Sequence, residues 1–135
     1  MKELANAIFT LFKAKVPGAT ELYNTIALPS AVFPYVVMRI ITGTGGGTLT
    51  EDQEDVLIQF NIYSDDPSSE AVCDIFQEIS DAFNEPDDED ELDIENYKVV
   101  SMTRHDEPYM LNRWEEKGIF VWDLMSQFRI IVSKT

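Results

Sequence analysis

The chain has 135 residues, of which 44% are hydrophobic, and a formal net charge of −15 at pH 7. This length and composition predict a single domain, residues 1–135, with its own buried core. The acidic excess disfavours sequence-specific binding to nucleic acids and binding to anionic membrane surfaces, because both present negative charge. The single cysteine excludes an internal disulfide and a cysteine-based zinc site.

The first half of the chain predicts one helix and two strands. Residues 2–16 have apolar side chains at helical spacing, and polar residues interrupt them, which favours a structural helix over a signal peptide. Residues 34–42 are rich in β-branched side chains and predict a buried strand whose two faces are nearly apolar. Residues 55–63 alternate and predict an antiparallel partner, with Gln59 and Asn61 on one face and four apolar residues on the other: Val56, Ile58, Phe60 and Ile62.

The second half predicts a helix and two further strands. Asp66 suits the N-cap of a helix and Pro67 its first turn, and an apolar stripe then runs to Phe83. Residues 97–103 and 119–133 predict the strands, and the polar segment 104–116 is compatible with their extension. The order helix-strand-strand-helix-strand-strand predicts an α+β fold: a four-stranded antiparallel sheet with two helices packed on one face.

Two unusual segments favour surfaces over chemical sites. The glycine-rich run 43–48 lacks the Gly-Lys-Ser/Thr ending of a phosphate loop and leads into a strand, so it predicts a flexible hairpin tip that reaches a neighbouring subunit. Its contact residues would be Thr44, Gly45, Gly46, Gly47 and Thr48. The acidic run 85–95 has no glycine for a calcium-binding turn, so it predicts a solvated acidic surface. The residues of that surface would be Asp87, Asp88, Glu89, Asp90 and Glu91.

Catalytic residues are not predicted. His105 precedes two acidic residues and could form a general base, but no nucleophile motif accompanies it. Cys73 follows Val72 and is expected to be packed rather than reactive. Trp122 has the parity of the buried side chains of the last strand, whereas Trp114, beside Arg113, is expected to be exposed and to contact another protein. We therefore expect no enzyme activity, cofactor or metal.

Three segments carry a resemblance to a known family. They are FPYVVMRI at 33–40, EDVLIQFNIYSDDPSSEAVCDIFQEISDAF at 54–83 and WDLMSQFRIIV at 122–132. Together they resemble the tail-completion or tail-terminator proteins (minor tail, head–tail joining) of long-tailed bacteriophages or prophages. The helix start of that family's pattern corresponds to Ser64, Asp65, Ser69, Glu70 and Ala71.

The resemblance implies a structural protein of the virion tail or neck that is assembled in the host cytoplasm. Such proteins form rings, typically hexamers, that bind the last ring of tail-tube protein, stop its polymerisation and present a surface to the head–tail connector. DNA would be passing cargo only, and an acidic lumen would let it slide. The alternative is an intracellular α+β module that binds a ligand or a protein without catalysis, through a concave apolar pocket.

Overall fold

The computed structural model describes residues 2–27, 30–41, 53–84, 92–105, 109–116 and 118–134. Two helices and six strands are formed in this part of the chain. In chain order they are α1 (Lys2–Lys15), β1 (Leu22–Asn24), β2 (Tyr35–Ile41), β3 (Gln53–Ser64), α2 (Glu70–Phe83), β4 (Tyr97–Arg104), β5 (Tyr109–Glu116) and β6 (Ile119–Lys134).

The strands form one mixed sheet. Its main path has the order β1-β2-β3-β6-β4, with β1 parallel to β2 and the other pairs antiparallel. The long strand β6 pairs with β3 along one edge, and β4 and β5 follow one another along its other edge. Between them, the His105 N–H donates to the Gln127 carbonyl at 2.8 Å. Within the predicted segment 104–116, Arg104 and residues 109–116 therefore lie in strands.

The prediction of a four-stranded antiparallel sheet is wrong, because the main path holds five strands and one pair is parallel. The α+β class remains. The missed strand β1 has three residues, Leu22–Asn24, which is too short to show alternation. It is held by backbone bonds to the next strand, such as Thr25 N–H to the Met38 carbonyl at 2.7 Å.

The core lies between the sheet and the two helices. Phe60 of β3 is fully buried, and its ring lies 6.2 Å from Phe12 of α1, 5.3 Å from Phe83 of α2 and 5.8 Å from Phe128 of β6. Both helices therefore pack on the same face of the sheet. The alternation of β3 is confirmed, since all four of its predicted inward residues are buried: Val56, Ile58, Phe60 and Ile62.

The start of α2 differs from the prediction. The helix begins at Glu70 with Ser69 as its N-cap, three residues after Asp66. Asp66 Oδ1 instead accepts a bond from the Ser68 N–H at 2.9 Å, and Ser68 Oγ accepts one from the Glu70 N–H at 3.1 Å. The polar run therefore forms a turn that leads into the helix, because such short side chains bond readily to the backbone nearby.

Candidate interaction surface

The side of the sheet opposite the helices is the candidate site, and we call it the outer face. Side chains of a strand alternate between the two faces, so the residues between the buried core positions point here. No helix of the described part of the chain packs on it. Its residues include Tyr23 of β1, Tyr35, Val37, Arg39 and Ile41 of β2, Leu57, Gln59, Asn61 and Tyr63 of β3, and Asp123, Met125, Gln127 and Arg129 of β6.

Four rings occupy one end of this face, and we call them the aromatic cluster: Tyr23, Phe33, Tyr35 and Tyr63. Tyr35 is central, with ring centroids 5.9 Å from Tyr23, 5.2 Å from Phe33 and 5.2 Å from Tyr63. All four side chains are half-buried. Half-buried tyrosines offer a large rigid contact area at a low cost in side-chain entropy, so the cluster suits a protein partner.

A chain of side-chain hydrogen bonds crosses the middle of the outer face. Gln127 Nε2 donates to Gln59 Oε1 at 3.0 Å, and Gln59 Nε2 donates to Asn61 Oδ1 at 2.7 Å. Asn61 Nδ2 then donates to Asp123 Oδ1 at 3.1 Å. These bonds fix the orientation of each amide, so the face presents a rigid polar pattern.

The carboxylate at the end of this chain of bonds is partly desolvated. Burial raises the pKa of Asp123, although the hydrogen bond from Asn61 acts in the opposite direction. Tyr63 lies opposite Asp123 in the β3–β6 register, and its pKa is raised by burial and by the negative charge of Asp123. The charge of Asp123 therefore carries a cost in free energy on this face.

The other end of the outer face holds an ion pair. Arg129 Nε donates to the two oxygens of Asp55 at 2.8 and 2.9 Å, and Nη2 donates to Oδ2. These bonds lower the pKa of Asp55, and the nearby charge of His105 adds to the effect. The outer face thus carries balanced charges, whereas the chain as a whole is strongly acidic.

The structure separates the predicted site residues. Two of the predicted sets, Thr44–Thr48 and Asp87–Glu91, lie outside the described residues. Arg113 and Trp114 lie in β5 and pair with Trp122 and Val121. His105 lies just after β4, at the end of the face that holds the Asp55–Arg129 pair, and it is exposed.

One burial prediction is wrong, and one residue of β6 departs from the parity of its strand. Cys73 is exposed on α2, because it lies one residue, or about 100°, around the helix from the buried Val72. Phe120 has the parity of the buried residues of β6 but is 49% exposed, since β3 ends opposite Trp122 and does not extend to it. Trp122 itself is half-buried.

The described residues contain no group of three or more His, Cys, Asp or Glu side chains that could hold a metal ion. Within the same residues, no helix is both long and apolar enough to cross a membrane. A groove of about 500 Å³ lies between the end of α1 and β1, and its walls include Phe9, Phe12, Val16 and Leu22.

No protein-family model matches the sequence, and no curated protein matches it. Among the solved structures, the chain is similar to a chain of the virion of a native gene transfer agent (GTA) particle, with a TM-score of 0.72. The similarity covers 96% of this chain and 94% of that chain, at 14% sequence identity. At this identity the similarity shows a shared fold.

Proposed function

We propose that the chain is a structural protein of a phage-like virion. The observation that carries this proposal is the similarity to a chain of a gene transfer agent virion, because it covers almost the whole of both chains. An insertion or an extra domain would have lowered that coverage. The outer face adds support, since a rigid face of rings and ordered amides suits a lasting protein contact.

Within that class, we propose the role of a tail terminator or tail-completion protein. The three segments that resemble this family form β2, the pair β3 and α2, and β6, which lie together at the centre of the fold. In this role a ring of copies would cap the tail tube, stop its polymerisation and join it to the head–tail connector. Heterologous contacts that close by rotation generate such rings.

The proposed partners are the tail-tube protein, the head–tail connector and further copies of this chain. The segment Thr44–Thr48, which the sequence predicts as a hairpin tip, and the pair Arg113 and Trp114 are proposed contacts within the assembly. The carboxylates Asp87–Glu91 are proposed to line the DNA path, where they would repel the phosphate backbone and keep the passing DNA from binding.

The test of this role is to polymerise the tail-tube protein of the same virion in the presence of the purified chain and to measure the lengths of the tubes. We expect tubes to stop growing at much less than one chain per tube subunit, because a cap acts only at the tube end. Trp114→Ala and deletion of residues 44–47 are expected to weaken the effect, whereas His105→Ala and Cys73→Ala are expected to preserve it. An unchanged distribution of tube lengths, with no chain bound to tube ends, would overturn the terminator role.

A second candidate is a ligand-binding module without catalysis, which the groove beside α1 favours. Its walls combine apolar side chains with Lys13 and Glu21. This function predicts a stable monomer or dimer that binds a small amphipathic ligand and leaves tube growth unchanged. Saturable ligand binding that Phe9→Asp abolishes in a folded protein would favour this candidate over the terminator.

A further inference from the structure

Two opposite charges on the outer face are not paired with each other. Arg39 of β2 is exposed, and Asp123 of β6 is half-buried. Among the described residues, the ion pair on this face joins Asp55 and Arg129, and neither Arg39 nor Asp123 takes part in one. The charge of Asp123 raises the pKa of Tyr63, whereas the charge of Arg39 lowers it. The face therefore offers one acid and one cation to a partner.

The strand register fixes the positions of these two charges. Arg39 lies opposite Gln59, and Gln59 lies opposite Gln127, so the three form one row across β2, β3 and β6. Asp123 lies four residues before Gln127 on β6. With about 3.4 Å per residue and about 4.8 Å between strands, the Cα atoms of Arg39 and Asp123 are about 17 Å apart. This distance is too long for an ion pair within one copy.

Asn61 marks the midpoint between the two charges. It lies on the central strand β3, opposite Val37 and Met125. The row of Arg39 is two residues away along the strands, and the row of Asp123 is two residues away in the other direction. Consider a twofold axis that lies in the plane of contact and crosses Asn61 at right angles to the line between the charges. It places each charge over the opposite charge of a second copy, so the outer face is self-complementary.

The same rotation places like surfaces together. The axis crosses the aromatic cluster, so Tyr35 and Tyr63 of one copy would meet the aromatic cluster of the other, and contacts between rings are favourable. Gln127, on the other side of Asn61, would lie beside its counterpart, and an amide can both donate and accept. The strands of the two copies would cross at about 70°, which is close to the orthogonal class of sheet packing.

The remaining charges near the outer face do not oppose this contact. Asp55 and Arg129 neutralise each other at the far end of the face, where His105 is also exposed. Glu21, just before β1, lines the groove beside α1. With a net charge of −15, two copies that met through α2 would place exposed carboxylates such as Asp74 close together. The outer face avoids this repulsion because its charges are balanced.

We propose that two copies of the chain bind each other through their outer faces, with Arg39 of each copy paired with Asp123 of the other. The hydrogen bond from Asn61 already holds this carboxylate in place, and a half-buried ion pair is screened by salt less than an exposed one. The symmetric pair closes on itself, so it differs from the head-to-tail contact of a ring, which would use other surfaces. The inference therefore goes beyond the proposed function and does not rest on it.

Sedimentation velocity of the purified chain tests for this dimer. We expect the wild type to form a dimer as its concentration rises. Arg39→Gln and Asp123→Asn each remove one partner of both ion pairs and should weaken the dimer about tenfold. Both changes remove a charge without adding bulk, and circular dichroism checks that the fold is retained. Lys13→Gln and Asp74→Asn make the same changes of charge at exposed positions on the helices and should leave the dimer unchanged.

Charge reversal separates a reciprocal contact from a general effect of charge. Arg39→Asp would place two negative charges opposite each other in its own dimer, and Asp123→Arg would place two positive charges there. A mixture of the two variants restores opposite charges in both contacts. The mixture should therefore form mixed dimers, identified by a tag on one variant, whereas neither variant should dimerise alone. The neutral variants decide the outcome if Asp123→Arg does not fold.

Three results would overturn the contact: a wild type that stays monomeric, an oligomer that neither neutral variant weakens, or a folded mixture without mixed dimers. Binding to tail tubes is scored separately. A monomeric wild type whose tube binding is lost in Arg39→Gln would assign the outer face to the tail-tube protein instead. A chain that dimerises through Arg39 and Asp123 but leaves tube ends bare keeps this inference and loses the proposed function.

Discussion

Phe60→Ala should be among the most destabilising single substitutions in this fold. Phe60 is fully buried, and it is the residue at which α1, α2, β3 and β6 meet. Its ring contacts Phe12, Phe83 and Phe128 at centroid distances of 6.2, 5.3 and 5.8 Å. The substitution removes one side of all three ring pairs and opens a cavity that neither a rigid sheet nor two helices can close completely.

The expected loss follows from these contacts. Truncation of a buried Phe to Ala destabilises a protein by about 3–5 kcal/mol, through lost transfer free energy and the cavity. Each aromatic pair adds about 0.5–1.5 kcal/mol beyond the effect of its buried area. Because Phe60 makes three such pairs, we expect its loss to cost about 5 kcal/mol, at the upper end of the range for Phe→Ala substitutions. Since domains are stable by about 5–15 kcal/mol, this loss removes a third or more of the stability.

Urea denaturation followed by far-UV circular dichroism measures the change. The midpoint should fall sharply with an unchanged slope, because the surface exposed on unfolding is nearly the same. Phe120→Ala is the matched control, since Phe120 is 49% exposed and its loss should cost about 1 kcal/mol or less. Equal losses in the two variants, or a loss below about 2 kcal/mol for Phe60→Ala, would refute this description of the core.

Three further predictions concern single side chains. Burial raises the pKa of Asp123 in the folded protein, so the fold loses stability as pH rises through that pKa. Asp123→Asn removes the buried charge and should be more stable than wild type at pH 7, and this advantage should shrink on acidification. Hydrogen bonds from Arg129 lower the pKa of Asp55, so the ionised Asp55 stabilises the fold above its ordinary pKa, and this stabilisation is lost as pH falls through the lowered pKa. Asp55→Asn should therefore be less stable than wild type at pH 7, and the difference should vanish at low pH. The difference should also weaken in salt, because Arg129 is partly exposed. Denaturation curves against pH check both signs. Cys73 should react with a thiol reagent in the folded protein as fast as in urea, and protection until unfolding would contradict its exposure.

Local periodicity accounts for the part of the fold that the sequence predicts. The alternation of β3 and the apolar stripe of α2 need only neighbouring residues, so Phe60 and Phe83 are placed in the core correctly. The strand β1 is not predictable from periodicity, because its three residues are too few to show a period. It forms through its parallel pairing with β2, in which Leu22 lies opposite Val36. The strand β5 has a mixed sequence without alternation, and its pairing with β6 is not predictable from its own residues.

The outer face shows a different limit. Gln59 and Asn61 are recognisable as the outward residues of a strand, but their partners Asp123 and Gln127 are more than sixty positions away. Only the β3–β6 register brings them together, and sequence alone does not fix that register. The aromatic cluster is missed for the same reason, although the outward parity of Tyr35 and Tyr63 gives a partial signal.

The most direct test of the terminator role is electron microscopy of tail tubes incubated with the purified chain. The proposal predicts one extra ring of density at a single end of each tube, saturating at one ring per tube. Tubes with bare ends, or density spread along their length, would contradict it.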